Sequence, residues 1–260
     1  VHHPRAERAA ATLFALSDEL GRTDGDWHAH AQHQLVFVER GSVRVELHDA
    51  AWVVPPGRAA WVRGGAVHRL SSPRGATVHT LYVGRRRLAA PDAPVQVLPL
   101  PELGRSLMRA AHRWGPERAP DDAQAEAVLG ALLALLPEWL AVSAPYGLPR
   151  GRSDTTRDAI RWTFARLDDP SLSVDGAARA AGTSARTLRR RMLEETGQSW
   201  RDLVQQARLL RAVEALSDPA ATVQQACDAA GYQSLGTFSR VFSDALGESP
   251  RAWQKRATRR

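Results

Sequence analysis

Two stretches near the C-terminus decide the reading: residues 172–193, LSVDGAARAAGTSARTLRRRML, and residues 221–246, ATVQQACDAAGYQSLGTFSRVFSDAL. Both follow one plan. A hydroxyl residue, Ser173 or Thr222, precedes a short helix whose apolar positions are small: Val174, Ala177, Ala178 and Ala181 in the first, Val223, Ala226 and Ala230 in the second. A glycine follows, Gly182 or Gly231, then Ser184 or Ser234 and a second helix. The hydroxyls are placed to cap helix N-termini. Small residues let two helices cross closely, and glycine accepts the positive φ of a sharp turn. The second helix is expected to turn Leu188, Met192 and Leu193, or Phe238, Val241 and Phe242, inward. Its polar face is left free to enter a major groove. The two glycines stand 49 residues apart, and an amphipathic helix, 200–216, joins the units.

The charge is distributed to match. The 260 residues carry a net +7. Residues 1–149 hold 16 Arg against 15 acids, a net of +1, whereas residues 150–260 hold 19 basic residues against 13 acids, a net of +6. A basic half joined to a neutral half points to a polyanion partner for the basic half. Hydrophobic content of 43% and charged content of 24% are those of a globular protein. No apolar run approaches the ~20 residues of a membrane span, and no signal-peptide core is apparent. The lone Cys227 excludes an internal disulfide and is expected to be a small buried hydrophobe. These features together predict a cytoplasmic, nucleoid-associated protein with no membrane contact.

The N-terminal part reads differently. Residues 5–20 suggest a short helix or an irregular lead-in. From Trp27 to Val83, the runs LVFVERGSVRVEL, WVVPPGRAAWV, HRL and TVHTLYV predict four to six short strands of a small barrel or sandwich. Glu39 to Ser42 is the expected hairpin turn. Helices are predicted over 101–114 and 121–140, a Pro/Gly-rich linker over 141–152, and a further helix from Ser153 or Asp154 to about Leu167. Strand alternation puts His28, His30 and Gln34 on one side. His68, from a neighbouring strand, joins them. Three imidazoles and a carboxamide suit a divalent transition metal. The same four side chains equally suit a small polar effector. His33 has the opposite parity and is expected outside the barrel, and His79 is a further candidate pocket residue. Trp52 and Trp61 flank Pro55-Pro56-Gly57 and are expected in the core or at its rim.

Residues 172–254 resemble the DNA-binding domain of AraC/XylS-type transcription regulators. The matching residues are Ser184 to Arg190, Thr196 to Ser199, Ala207 to Leu209, Ala229 to Tyr232, Phe238 to Phe242 and Gly247 to Pro250. Met192 stands where an aromatic is usual, and Cys227-Asp228 replaces the commoner Ile-Ala. Both departures are variations of packing. The resemblance implies that helices 184–194 and 234–245 enter consecutive major grooves. The DNA-contacting residues would be Ser184, Arg186, Thr187, Arg189 and Arg190 on the first, and Ser234, Gly236, Thr237, Ser239 and Arg240 on the second. Arginine pairs bidentately with guanine or phosphate. Gly236, having no side chain, would permit close approach. Arg191 is expected to face elsewhere. Residues 25–85 resemble the cupin barrel, with Gln34 at a position usually Glu and Arg63 at one usually Pro.

The expected architecture is therefore α+β with two domains. A cupin-like β-barrel sensor occupies residues 1–98. A helical pair follows over 99–142, which in this family pairs two subunits but suits packing on its own barrel equally well. A linker spans 143–152, and an all-α domain with two helix-turn-helix units spans 153–260. The expected function is sequence-specific binding of promoter or operator DNA by a homodimeric activator. A small molecule or metal in the barrel would control it, with RNA polymerase as a further partner. A cupin enzyme is the competing class. Gln34 at the carboxylate position and an entire domain given to DNA argue against it, and the pocket argues against a purely architectural DNA binder.

Overall fold

The computed structural model describes residues 11–48, 50–72, 75–89, 91–119, 121–141, 147–149, 151–218 and 220–257. The chain divides into two compact units, residues 1–47 with 52–145, and residues 48–51 with 146–260.

The first unit is built on two antiparallel sheets. Its strands are β1 (Leu13–Leu20), β2 (Thr23–Asp24), β3 (His33–Gly41), β4 (Val43–Glu46), β5 (Ala50–Val54), β6 (Arg58–Val62), β7 (Arg69–Ser72), β8 (Ala76–Val83) and β9 (Val95–Pro99). One sheet has the order β1-β8-β3-β6-β9, and the other contains β5-β4-β7-β2. The two are separate sheets among the described residues, so the expected barrel is not closed. The first sheet is covered on both faces, which explains unbroken apolar runs such as Leu35 to Val38. Residues of one parity, Leu35, Phe37, Trp61, Leu81 and Leu98, pack under two helices, α1 (Glu102–Ala111) and α2 (Ala123–Leu140). The opposite parity, Gln34, Val36 and Val38, lies on the other face.

Two expectations are corrected here, and one left open is answered in part. Residues 13–20 are not helix but strand β1, paired along its whole length from Leu13↔Val83 to Leu20↔Ala76; residues 5–10 lie outside the described residues. A short apolar run is compatible with either element, and the free edge of β8 settles it. Glu39 to Ser42 is not a hairpin. β3 pairs with β6 and β8, whereas β4 pairs with β7 in the other sheet. The chain thus crosses between sheets at Gly41, whose φ is +73° and whose Cβ would lie 2.1 Å from the Gly75 carbonyl oxygen. The Leu-rich face of α2 is used within its own unit. Leu129, Leu132, Leu136 and Trp139 join the core of the first sheet. By length and composition α2 is apolar enough to cross a membrane, but that face is protein core.

Among the described residues, the second unit has a short strand, β10 (Gly147–Pro149), and seven helices. These are α3 (Asp154–Phe164), α4 (Val174–Ala180), α5 (Ala185–Thr196), α6 (Trp200–Leu216), α7 (Val223–Ala229), α8 (Leu235–Leu246) and α9 (Pro250–Ala257). Hydroxyl caps start them, at five positions where the sequence predicts one and at Ser199 in addition. Ser153, Ser173, Ser184, Ser199, Thr222 and Ser234 each accept a hydrogen bond from a first-turn backbone N–H. Gly182 (φ +64°) and Gly231 (φ +74°) make the two turns, and a Cβ on Gly231 would also strike the Leu167 carbonyl oxygen at 1.9 Å. Around the first pair, Ile160, Ala177, Ala178, Leu188, Met192 and Leu203 form one core. In the second pair Phe238, Phe242 and Trp253 pack edge to face, at centroid distances of 5.6 and 6.2 Å. Cys227 is buried there, and burial raises its thiol pKa. Helix α6 has 17 residues, roughly 25 Å at 1.5 Å per residue. It contributes Leu203 to the first core, and Leu209, Leu210, Val213 and Leu216 are buried further along it.

Candidate functional site

Helix α5 presents the first candidate surface. Leu188 and Met192 anchor it in the core. That leaves Arg186, Arg189 and Arg190 exposed on the opposite side, with Arg191 half-buried. Arg186, Arg189 and Arg190 sit at i, i+3 and i+4, so they share a face. Arg186 and Arg189 form no ion pair among the described residues. Arg190 Nη1 lies 3.0 Å from the Glu194 carboxylate, so any contact with a phosphate or base competes with that pair. Leu193, expected inward, is 61% exposed. A helical turn advances about 100° per residue, and Leu193 falls on the arginine side, at i+3 from Arg190.

Ser184 and Thr187 are drawn into the cap. Ser184 Oγ accepts from the Thr187 N–H at 3.2 Å, and the two hydroxyls lie 2.9 Å apart. In α8, Ser234 Oγ accepts from the Thr237 N–H at 3.3 Å. Gly236, Thr237 and Arg240 are exposed, Ser239 and Val241 are half-buried, and Phe238 and Phe242 hold the helix down. Around Gly236 the chain leaves space: an added Cβ would meet only Ser234 Oγ, at 3.7 Å. Nothing within the unit demands glycine at that position.

Glu195, near the end of α5, had no assigned role from sequence. Its carboxylate accepts from the backbone N–H groups of Arg152 and Ser153 at 2.7 and 2.9 Å, and from Ser153 Oγ at 2.7 Å. Burial pushes its pKa up, but these hydrogen bonds outweigh it and hold the pKa at about 2. The carboxylate thereby ties the N-terminus of α3 to α5.

The first unit brings together the four residues singled out there. His28 and His68 form a backbone bridge, with N–H to carbonyl distances of 2.9 Å in both directions. His28, His30 and His68 each offer a ring nitrogen, and the three atoms lie within 4.8 Å of one another. Each Nδ1 meets a backbone carbonyl: Asp26 for His28 at 2.9 Å, Gln32 for His30 at 2.8 Å, Ala66 for His68 at 2.9 Å. A carbonyl only accepts, so each neutral imidazole carries its proton on Nδ1 and leaves a lone pair on Nε2. Gln34 Oε1 lies 3.2 Å from both His30 Nε2 and His68 Nε2, while Gln34 Nε2 donates to the Tyr82 hydroxyl at 3.3 Å. Burial, followed by the neighbouring imidazoles, lowers the His68 pKa to about 3, so this ring is neutral at physiological pH.

In this arrangement acceptors converge, and the donor set fits a divalent transition metal. It consists of imidazole nitrogens and one carbonyl oxygen, with each ring oriented by a second hydrogen bond from behind. Rotating the Gln34 amide by 180° gives a metal-free alternative. Its Nε2 then donates to both rings, and the Tyr82 hydroxyl donates to Oε1. Tyr82 is fully buried and its pKa is raised by burial. Strand pairing places it opposite Gln34, a relation invisible before the register is known.

Of two further histidines, His33 lies on the side its parity predicts and His79 does not lie where the sequence suggests. His33 has the opposite parity but is buried: it stacks on Trp61 at 4.9 Å and its Nδ1 accepts from the Gly64 N–H at 2.9 Å. His79 is not in the pocket. It packs on Phe37 on the helix-covered face, 2.8 Å from Glu39, which also pairs with Arg109 of α1 at 2.8 Å. Trp61 is core, and Trp52 is half-buried.

Comparison with known proteins agrees with both units. A family model described as an AraC-like ligand binding domain matches residues 19–133, and one described as a helix-turn-helix domain matches residues 177–256. The transcriptional regulator NimR of Escherichia coli K12 is 25% identical over 99% of this chain and 92% of its own length. The transcriptional activator RhaR of Klebsiella pneumoniae is 24% identical over 96% and 94%. The regulatory protein SoxS of Escherichia coli K12 is 32% identical over 38% of this chain and 92% of its own. The two family matches, in the order of the sheet-built unit and the paired helix-turn-helix unit, and the likeness to SoxS over nearly all of its length place this chain in the AraC/XylS-type family of DNA-binding transcription regulators.

Proposed function

We propose that this regulator is a promoter-binding activator governed by a divalent transition metal held by His28, His30, Gln34 and His68. The observation that carries the control element is the common orientation of the three imidazoles, each with Nδ1 tied to a backbone carbonyl and its lone pair turned to the cluster. The metal would supply a cross-link between the His28–His30 segment, Gln34 on β3 and the segment entering β7. A ligand shifts a regulator only by binding its two states unequally, and a cross-link between separate segments provides that inequality. A small polar effector on the same side chains is the competing outcome.

The DNA-reading residues in this proposal are Arg186, Arg189 and Arg190 on α5, and Thr237 and Arg240 on α8. Ser184, Thr187, Ser234 and Ser239 present the helix N-terminal turns, and Gly236 allows close approach. The proposed division is a sensor over 1–98, a helical pair over 99–142, a linker over 143–152 and a DNA-binding part over 153–260. Activation is supported by the similarity to RhaR, a transcriptional activator, and RNA polymerase is the proposed partner in it. A homodimer is supported by Val128, Leu133 and Leu135 of α2, which remain half-buried; light scattering tests it. The setting proposed is the bacterial cytoplasm.

The test begins with genome-wide mapping of bound DNA, followed by gel shift on a mapped operator with and without a chelator, and elemental analysis of the protein. Near-stoichiometric metal and at least a tenfold change in operator affinity on chelation are expected. Absence of metal together with unchanged affinity overturns the control element. Arg189→Ala is expected to weaken specific binding by about 1–3 kcal/mol. Equal loss on random DNA would reassign Arg189 to phosphate.

A further inference from the structure

Outside the histidine cluster, the first unit carries a cleft of about 400 Å³. Ala11, Ala31 and Gly84 form its apolar part, and Arg85, Arg86 and Arg87 stand around it. A tight turn displays the arginines: the Gly84 N–H donates to the Thr12 carbonyl at 2.6 Å, and the Arg87 N–H returns to the Gly84 carbonyl at 2.8 Å. All three are exposed, and none forms an ion pair among the described residues. Arg87 Nε donates to Thr12 Oγ1 at 3.0 Å, which steers that guanidinium toward the cleft wall. Among the described residues, no acidic one lines the space.

Three adjacent positive charges repel one another, and a bound anion relieves that repulsion while accepting paired guanidinium hydrogen bonds. The opposite wall is rigid, because the turn at Ala31–Gln32 packs so closely on Gly64 that a Cβ there would lie 2.3 Å from the Ala31 carbonyl oxygen. The volume lies within the range of small-molecule sites.

We propose that this cleft binds a small organic anion, with a carboxylate or phosphate head on Arg85–Arg87 and a short apolar body against Ala11, Ala31 and Gly84. The site is distinct from the histidine cluster and independent of any metal there. It shares only the turn whose Gln32 carbonyl holds His30 Nδ1. The inference adds a second ligand class to the unit.

Calorimetry and thermal shift on the full chain, in the presence of chelator, test it with benzoate, hexanoate, phenyl phosphate, inorganic phosphate and neutral benzyl alcohol. At least one organic anion is expected to bind at least tenfold more tightly than benzyl alcohol. The better of the carboxylates and phenyl phosphate identifies the head group. The triple variant Arg85→Gln/Arg86→Gln/Arg87→Gln should lose at least tenfold in affinity while melting at the wild-type temperature without ligand. Ala31→Phe, which fills the cleft, should lose the organic anions too. No binding by any organic anion, equal binding of benzyl alcohol, or undiminished binding in both variants overturns the proposal. Inorganic phosphate matching phenyl phosphate overturns the apolar body. Loss of DNA affinity in the triple variant with anion binding intact shows that the arginines serve DNA instead.

Discussion

At Gly236 the intramolecular demand and the proposed function part company. Its Cβ would meet open space apart from Ser234 Oγ at 3.7 Å, and glycine in a helix costs up to about 1 kcal/mol relative to alanine. Gly236→Ala is therefore expected to raise the melting temperature while weakening operator binding by more than tenfold. A stabilised variant with unchanged affinity would show that DNA does not approach there. Gln34 invites the parallel experiment at the sensor. A carboxylate cannot donate from the rotated position and adds a negative charge to the acceptor cluster. Gln34→Glu is expected to hold zinc at least tenfold more tightly in chelator competition, and equal or weaker retention would count against a metal at these side chains.

Among the elements, the join between α3 and α5 rests on one carboxylate. Glu195 has a folded pKa of about 2, below the unfolded value of about 4.3. A depressed carboxylate contributes stability above its unfolded pKa and loses it as pH falls toward the folded one. Its contribution is thus complete at neutral pH and fades between about pH 4.5 and 2. Solvent screening at this largely accessible site keeps it modest. Glu195→Gln should flatten that part of the stability–pH curve of the full chain, measured by denaturant unfolding, and an unaltered acid limb would reject the assignment. The same scale shows why β1 and the β3–β4 corner escaped the sequence. Leu13 to Leu16 suits a helix or a strand until β8 supplies eight partners. Glu39 to Ser42 has hairpin composition, yet its flanking strands belong to different sheets.

For the molecule as a whole, the net +6 of residues 150–260 predicts binding dominated by phosphate neutralisation. The log–log dependence of operator affinity on salt should have a slope on the order of −4 to −7, given four to eight phosphate contacts. A slope near zero, from affinities measured between 50 mM and 200 mM salt, would exclude the basic unit as the DNA-binding surface.

The paired helix-turn-helix units were legible in linear order because their information is local. Caps, glycine turns and helical periodicity act within a few residues, and Ser184, Gly182, Gly231 and Phe238 stand where that pattern puts them. His28, His30 and Gln34 do come together, but not by alternation along one strand: His28 is an isolated bridge residue and His30 lies in the irregular segment before β3. What no run of residues states is which strands become neighbours. Sheet pairing joins residues tens of positions apart, and it alone put Tyr82 beside Gln34, turned His79 to the helix-covered face and left Arg85 to Arg87 around a cleft. Leu193 makes the same point in a helix: its exposure follows from where the surrounding core ends, and that boundary is a property of the packed unit.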